Sequence, residues 1–308
     1  MTPTCASMDI IPNEACTIQK LEPEWYNPYV ARVDMLRLDM LHPVISGNKW
    51  FKLKYNMAHA QEQGYSSILT FGGAYSNHLI AAAAGAKAYG ITATAIVRGL
   101  HAKDELTPTL QACRDYGMEL HFVSREDYNK KEDVAWLDEL SVRYDHPFII
   151  PEGGANKWGR AGVGDIASQI PANYTHICVS IGSGTTMAGL RNALNSDKIV
   201  LGYAPMKGGT YLADEVAAVV DADKNSHMQV FDNWHFGGFG KWNEDLLHFM
   251  NDFHSQHAIP LDVVYTAKMM YGIEEQILSG YFPPDAAILC IHTGGLQGNA
   301  TVKGKLIY

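Results

Sequence analysis

Positive charge is in short supply in this sequence: 24 lysines and arginines stand against 33 aspartates and glutamates, a formal net charge of −9 over 308 residues. Nucleic-acid binding needs clustered cations along a phosphate backbone, so this balance excludes a nucleic-acid partner. Cysteine is scarce as well. Five are scattered along the chain (Cys5, Cys16, Cys113, Cys178, Cys290) and none forms a Cys-x-x-Cys pair. That pattern argues against a disulfide framework and for a reducing compartment, the cytoplasm. Long hydrophobic runs are missing: LIAAAAGAKAYG, from Leu79, is interrupted by glycine and lysine far short of a bilayer span, so no membrane association is expected. The opening MTPTCASMDIIPNEAC has no basic start before an apolar core, and no secretory leader is expected there.

Several catalytic signatures are absent too. There is no His-Glu-x-x-His, and the His248, His254, His257 group has no carboxylate-flanked spacing, so exposed helix histidines and no metal are expected. No Gly-x-Ser-x-Gly elbow occurs.

What is present is an ordinary globular composition, 47% hydrophobic and 19% charged. Apolar runs such as SSILTFGG, TATAIVRG, ELHFVS and PFIIPEGG alternate with helix-length segments. THICVSIGSG, KIVLGYAP, DVVYTA and AAILCIHTGG make a second such series. Runs apolar along their whole length suit strands buried on both faces. The expectation is therefore two open parallel-sheet α/β domains with a ligand cleft between them. The smaller is placed at 52–158 and the larger at 1–51 with 159–308.

Ligands of open α/β sheets bind beyond the carboxyl ends of the strands, which directs attention to FGGAYSNH, EGGANKWG, SIGSGTTMAG and IHTGGLQGN. In SIGSGTTMAG, Gly182, Ser183, Gly184, Thr185 and Thr186 offer backbone N–H groups and hydroxyls at a helix start, a site for one phosphate. A Walker loop fails because Leu190 and Arg191 follow Gly189, and a dinucleotide fingerprint fails because Met187 takes the third glycine position. A plain strand-to-helix turn is the alternative. In FGGAYSNH, Ser76 or Asn77 is either an N-cap or, with His78, part of an anion-binding helix start. SGNKWFKLKYN sets Lys49 behind a Gly-Asn turn, with Lys52 and Lys54 following.

Taken together, SGNKWFKLKYN, FGGAYSNH, SIGSGTTMAGL, VVYTAKM and IHTGG, in this order from Ser46 to Gly295, resemble the 1-aminocyclopropane-1-carboxylate deaminase and D-cysteine desulfhydrase family. These are pyridoxal 5'-phosphate enzymes of the tryptophan-synthase-β-like group, fold type II. The resemblance implies that Lys49 carries the cofactor as a Schiff base and then serves as base at the substrate α-carbon. It implies that Ser76 assists proton transfer, Asn77 bonds the cofactor's phenolic oxygen, and the amides of Ser76, Asn77 and His78 hold the substrate carboxylate. Gly182 to Thr186 would bind the phosphate, Tyr265 would be an active-site tyrosine, and Thr293 would face the pyridine nitrogen.

In the deaminase branch a glutamate holds that nitrogen protonated where this chain has Thr266, and both branches carry a tyrosine where it has Phe239. A hydroxyl cannot enforce protonation as a carboxylate does. The first change favours α,β-elimination on a small amino acid, D-cysteine first, over cyclopropane ring opening, which is the alternative; the second counts against the deaminase and also against a standard desulfhydrase. A rival of another class is a member that binds the cofactor or an amino acid without turnover. The family also implies a homodimer. Lys52 is expected to depress the pKa of Lys49, and Lys54 to lie on a solvated helix face.

Overall fold

The computed structural model describes residues 16–308, so Cys5 and the start of the chain lie outside the described residues. The strands are β1 (Ile18–Lys20), β2 (Arg32–Arg37), β3 (Ser67–Gly72), β4 (Thr92–Arg98), β5 (Met118–Val123), β6 (Phe148–Ile150), β7 (His176–Ser180), β8 (Ile199–Tyr203), β9 (Met228–Phe231) and β10 (Ala287–His292). The helices are α1 (Asn48–Glu62), α2 (Asn77–Tyr89), α3 (Pro108–Asp115), α4 (Arg125–Tyr128), α5 (Val134–Arg143), α6 (Lys157–Gly164), α7 (Thr185–Ala193), α8 (Leu212–Ala217), α9 (Glu244–His257) and α10 (Thr266–Leu278). None among the described residues is long and apolar enough to cross a membrane.

Two compact units result. One is built from His42–Gly162, the other from residues 16–41 with Val163–Tyr308. The first unit carries a four-stranded parallel sheet in the order β5-β4-β3-β6. Alternation along its strands divides the apolar residues between two faces. Ile68, Ala93, Ala95 and Val97 join a core with α1 and α2, while Leu69, Phe71 and Ile96 pack with Tyr128 and Leu140 on the other side. This is why those strands are apolar throughout. Ile45 and Trp50 belong to the same core as Leu53 and Ile80, so the segment 42–51, with Lys49, packs in this unit.

The second unit carries a six-stranded sheet in the order β1-β2-β10-β7-β8-β9. All its pairs are parallel except β1 with β2, which is antiparallel. The sheet is therefore mixed rather than purely parallel, because the short β1 returns beside β2 at the edge. Its core gathers Val33, Met35, Cys178, Leu201 and Cys290 from the strands with Leu246, Met250, Met269 and Ile273 from α9 and α10.

Helix starts are marked by capping side chains. Ser76, Thr107, Asp133 and Asn243 each accept a hydrogen bond from the backbone N–H three residues on. Gly72 shows how tight the first of these turns is: a Cβ there would lie 2.5 Å from Leu79 Cγ and 2.7 Å from Ser76 Oγ. Gly72→Ala is thus expected to lower unfolding stability by about 1–3 kcal/mol through overpacking. The measurement is a urea titration, where the midpoint should fall while the slope is kept.

Candidate active site

In the first unit, Gly47 precedes α1 with φ 67° and ψ −149°, a conformation open essentially to glycine. Lys49 follows as the second helical residue, half-buried, its Nζ donating to Asn48 Oδ1 at 2.8 Å. Lys52 is buried. Burial first, and the Lys49 charge second, push its pKa well below the usual lysine range. The cation that the sequence reading lent to Lys49 is thus one that burial disfavours. Lys54 is also buried, its ammonium over the rings of Phe51 and Tyr55 at 5.0 and 5.2 Å, rather than on a solvated face.

The segment after β6, through the start of α6, packs closely on this helix. A Cβ on Gly162 would lie 1.9 Å from the Phe51 carbonyl oxygen, and one on Gly154 3.1 Å from Lys52 Cβ. Asn156 donates to Asn56 Oδ1 at 2.7 Å, and Asn56 donates to the Lys52 carbonyl at 2.7 Å. Asn56 and Asn156 were not singled out from sequence. The glycines of EGGANKWGRAG were the only signal of so close a backbone approach.

Ser76 caps α2 through Leu79 N at 3.3 Å. Thr70 Oγ1 donates to the Ile150 carbonyl at 2.8 Å, so at the 2.8 Å contact with His78 Nε2 the imidazole is the donor. Nδ1 is then the bare nitrogen of His78. It is buried without a partner, as is Asn77 Oδ1. Burial, then the Lys49 and Lys52 charges, bring the His78 pKa down to about 3.

In the second unit, β7 runs into α7 through Ile181–Gly184. Gly184 has φ 67°, and a Cβ there would lie 2.6 Å from Val216 Cγ2. Gly182 faces Tyr265: a Cβ would meet its Oη at 3.3 Å. Ser183 and Thr185 share a 2.9 Å hydroxyl contact, and Thr185 and Thr186 are buried at the helix start. First-turn N–H groups have no partner within a helix, and the dipole favours an anion there. Tyr265 immediately precedes α10. Its N–H donates to Asp262 Oδ1 at 2.8 Å, as does that of Val264 at 3.0 Å.

Asp262 Oδ2 accepts both the N–H and the hydroxyl of Thr266, at 2.8 and 2.6 Å. Asp262, fully buried, is a further residue that sequence reasoning missed; an acid four residues before the helix was its only sign. Thr293 is buried just past β10, where Gly294 and Gly295 take φ of 77° and 96°. His292 Nδ1 accepts from Gly294 N at 3.2 Å, so Nε2 carries the proton that bonds the Pro260 carbonyl at 2.7 Å. Phe239, half-exposed, sets its ring 5.8 Å from that of Tyr265 at 73°.

No group of side chains suited to a metal occurs among the described residues. His257, expected on a helix surface, is buried, accepting from Glu22 N at 3.2 Å. His248 is exposed.

A glycine-lined helix start bearing hydroxyls, an amine behind a left-handed glycine, and buried unpartnered polar atoms on Asn77 and His78 are features that fit pyridoxal phosphate. The two α/β units and these sites define an enzyme of fold type II that uses this cofactor. The chain belongs to the family of pyridoxal-phosphate dependent enzymes, whose model matches residues 32–294.

It is 30% identical over 281 residues to the bifunctional D-cysteine desulfhydrase/1-aminocyclopropane-1-carboxylate deaminase, mitochondrial, of Arabidopsis thaliana, covering 82% of this chain and 70% of that protein. Among solved structures, an ACC deaminase homologue superposes with a TM-score of 0.79 at 30% identity, over 94% of this chain and 92% of the other. O-ureido-L-serine synthase shares the fold, with a TM-score of 0.71 at 14% identity over 98% and 94% of the two chains.

The buried imidazole has a measurable consequence. With a folded pKa near 3 against 6.5 when exposed, the unfolded chain binds the proton first. Stability from neutral His78 is complete above about pH 6.5 and is lost as pH falls toward 3, by up to about 1.4 kcal/mol per pH unit. Urea unfolding across this range should show a flatter pH dependence for His78→Gln than for the wild type.

Proposed function

We propose that this enzyme catalyses α,β-elimination on a small amino acid, with D-cysteine the first candidate and pyruvate, ammonia and hydrogen sulfide the products. The observation that carries this reading is the Thr266 hydroxyl, which is committed to Asp262 at 2.6 Å. The position where the deaminase branch has a glutamate thus offers the pyridine nitrogen neither a carboxylate nor an available hydroxyl donor. Thr293 remains to face that nitrogen, and a neutral hydroxyl does not enforce its protonation. Elimination from a substrate with an α-hydrogen asks less of the electron sink than opening a cyclopropane ring.

In this reading Lys49 Nζ bonds the cofactor aldehyde, and Gly182, Ser183, Gly184, Thr185 and Thr186 hold its phosphate. The Asn77 side-chain amide donates to the phenolic oxygen. When bound, the cofactor supplies the sink for the electron pair left on the substrate α-carbon. The Lys49 amine would serve as the base that takes the α-proton. The Ser76 hydroxyl and Tyr265 Oη stand by the reacting amino acid for proton transfer. The Ser76, Asn77 and His78 amides hold its carboxylate at the α2 N-terminus. The His78 side chain is spent on Thr70, which leaves its backbone N–H for this task.

Ring opening of 1-aminocyclopropane-1-carboxylate is the second reading, favoured by the similarity to the Arabidopsis protein and to the solved deaminase homologue. The buried free thiols Cys113, Cys178 and Cys290 agree with a reducing cytoplasm. A homodimer is the expected assembly.

Purified protein should absorb in the visible through its lysine-linked cofactor, and Lys49→Ala should lose that band and about 10²–10⁴-fold of kcat. Colourless wild-type protein that takes up no added cofactor would overturn the assignment of Lys49. Sulfide and pyruvate release should be fastest with D-cysteine among D- and L-cysteine, D-serine and the cyclopropane amino acid. Turnover of the last alone would contradict the reading of Thr266 and Thr293.

A further inference from the structure

Lys268, one turn along α10 from Tyr265, is buried, and among the described residues its hydrogen bonds are to carbonyls rather than to a carboxylate. Its Nζ donates instead to three carbonyls: Pro205 at 3.1 Å, His235 at 2.9 Å and Gly238 at 2.9 Å. An ammonium has three N–H donors, and all three are used. A buried charge bonded to neutral carbonyls, with the Asp262 charge acting on it only through space, is costly compared with a methionine or leucine in the same space. Such a residue calls for a role that an apolar side chain could not fill.

The carbonyls themselves show what is being held. Two belong to the glycine-rich segment HFGGFG, residues 235–240, in which Phe236, Gly237, Gly238 and Gly240 take φ of 50°, 93°, 128° and 68°. Left-handed glycines make a pliable segment, and its internal bonds are short-range: Gly238 N to His235 O at 3.0 Å and Gly237 N to His235 Nδ1 at 2.9 Å. The third carbonyl follows β8. Within this segment Phe239, half-exposed, meets the ring of Tyr265, whose Oη lies against Gly182 of the phosphate loop.

We propose that Lys268 is a positioning residue: by tying Pro205, His235 and Gly238 to α10 it holds Phe239 against Tyr265 and so fixes the orientation of the Tyr265 ring over Gly182. The Phe239 ring then forms an apolar wall beside the Tyr265 hydroxyl, suited to a thiol or methylene side chain rather than a hydroxyl. This rests on the elimination reading for its kinetic consequence, but the clamp itself does not.

Hydrogen exchange tests the clamp without any substrate. In Lys268→Met, the peptide covering 235–241 should exchange at least about tenfold faster, while the β3–β6 sheet is unchanged. Unchanged exchange in 235–241 would overturn the proposal. Kinetics test its consequence in a cofactor-loaded enzyme whose visible band is preserved. Lys268→Met and Phe239→Ala should each lower kcat/KM by about tenfold or more, and the double variant should be no worse than the poorer single one. Additive losses would mean that Lys268 does not act through Phe239.

Should Lys268→Met fail to fold, Gly238→Ala strains the segment from the other side. A Cβ there meets nothing within 4 Å, so the effect comes from its φ of 128° alone. It should reproduce the faster exchange and the kinetic loss; wild-type behaviour in both would overturn the proposal. A wild-type protein inactive on every amino acid tried would count against the elimination reading, and exchange would still decide the clamp.

Discussion

In each unit a parallel strand gives way to a helix through a turn too tight for a side chain, and the placement of the functional groups depends on that constraint. At Gly72 the space is filled by Leu79 and Ser76, and at Gly184 by Val216. Because the turns are this short, the first turns of α2 and α7 open directly at the ends of β3 and β7. Such helix starts are suited to an anion by backbone geometry alone.

Buried charge and polarity are handled differently in the two units. Around Lys49 the chain concentrates amines, and burial shifts the balance of Lys52 and His78 toward their neutral forms. Around Tyr265 it does the reverse: the Asp262 carboxylate accepts three backbone N–H groups and a hydroxyl, and the Lys268 ammonium meets three carbonyls. Each ion is satisfied by backbone dipoles, so each fixes a turn rather than an ion pair. One consequence reaches the chemistry, since Thr266 spends its hydroxyl on Asp262.

The motif residues were legible because they are local. Strand, glycine turn and helix start follow one another within a dozen residues, so FGGAYSNH and SIGSGTTMAG could be placed on the right elements from pattern alone. The parallel sheets were legible for a similar reason, as strands covered on both faces are apolar along their whole length. Lys54 and His257 show where this stops. Lysine is ordinarily exposed and histidine often so, yet Lys54 lies over the rings of Phe51 and Tyr55, and His257 packs against Trp25 and Phe253. The antiparallel β1 was equally hidden, three residues long and paired across a loop.

By itself, then, the sequence determined the two-series α/β organisation, the glycine loops and the identity of the chemical groups, because these follow from periodicity and from which backbone angles each residue permits. Tertiary structure decided which of those groups are free to act. It buried Lys52, turned the His78 ring toward Thr70, committed Thr266 to Asp262 and tied the Phe239 segment to Lys268. The reason is physical: solvation and hydrogen-bond partnership are set by residues distant in the chain, and no local pattern encodes them.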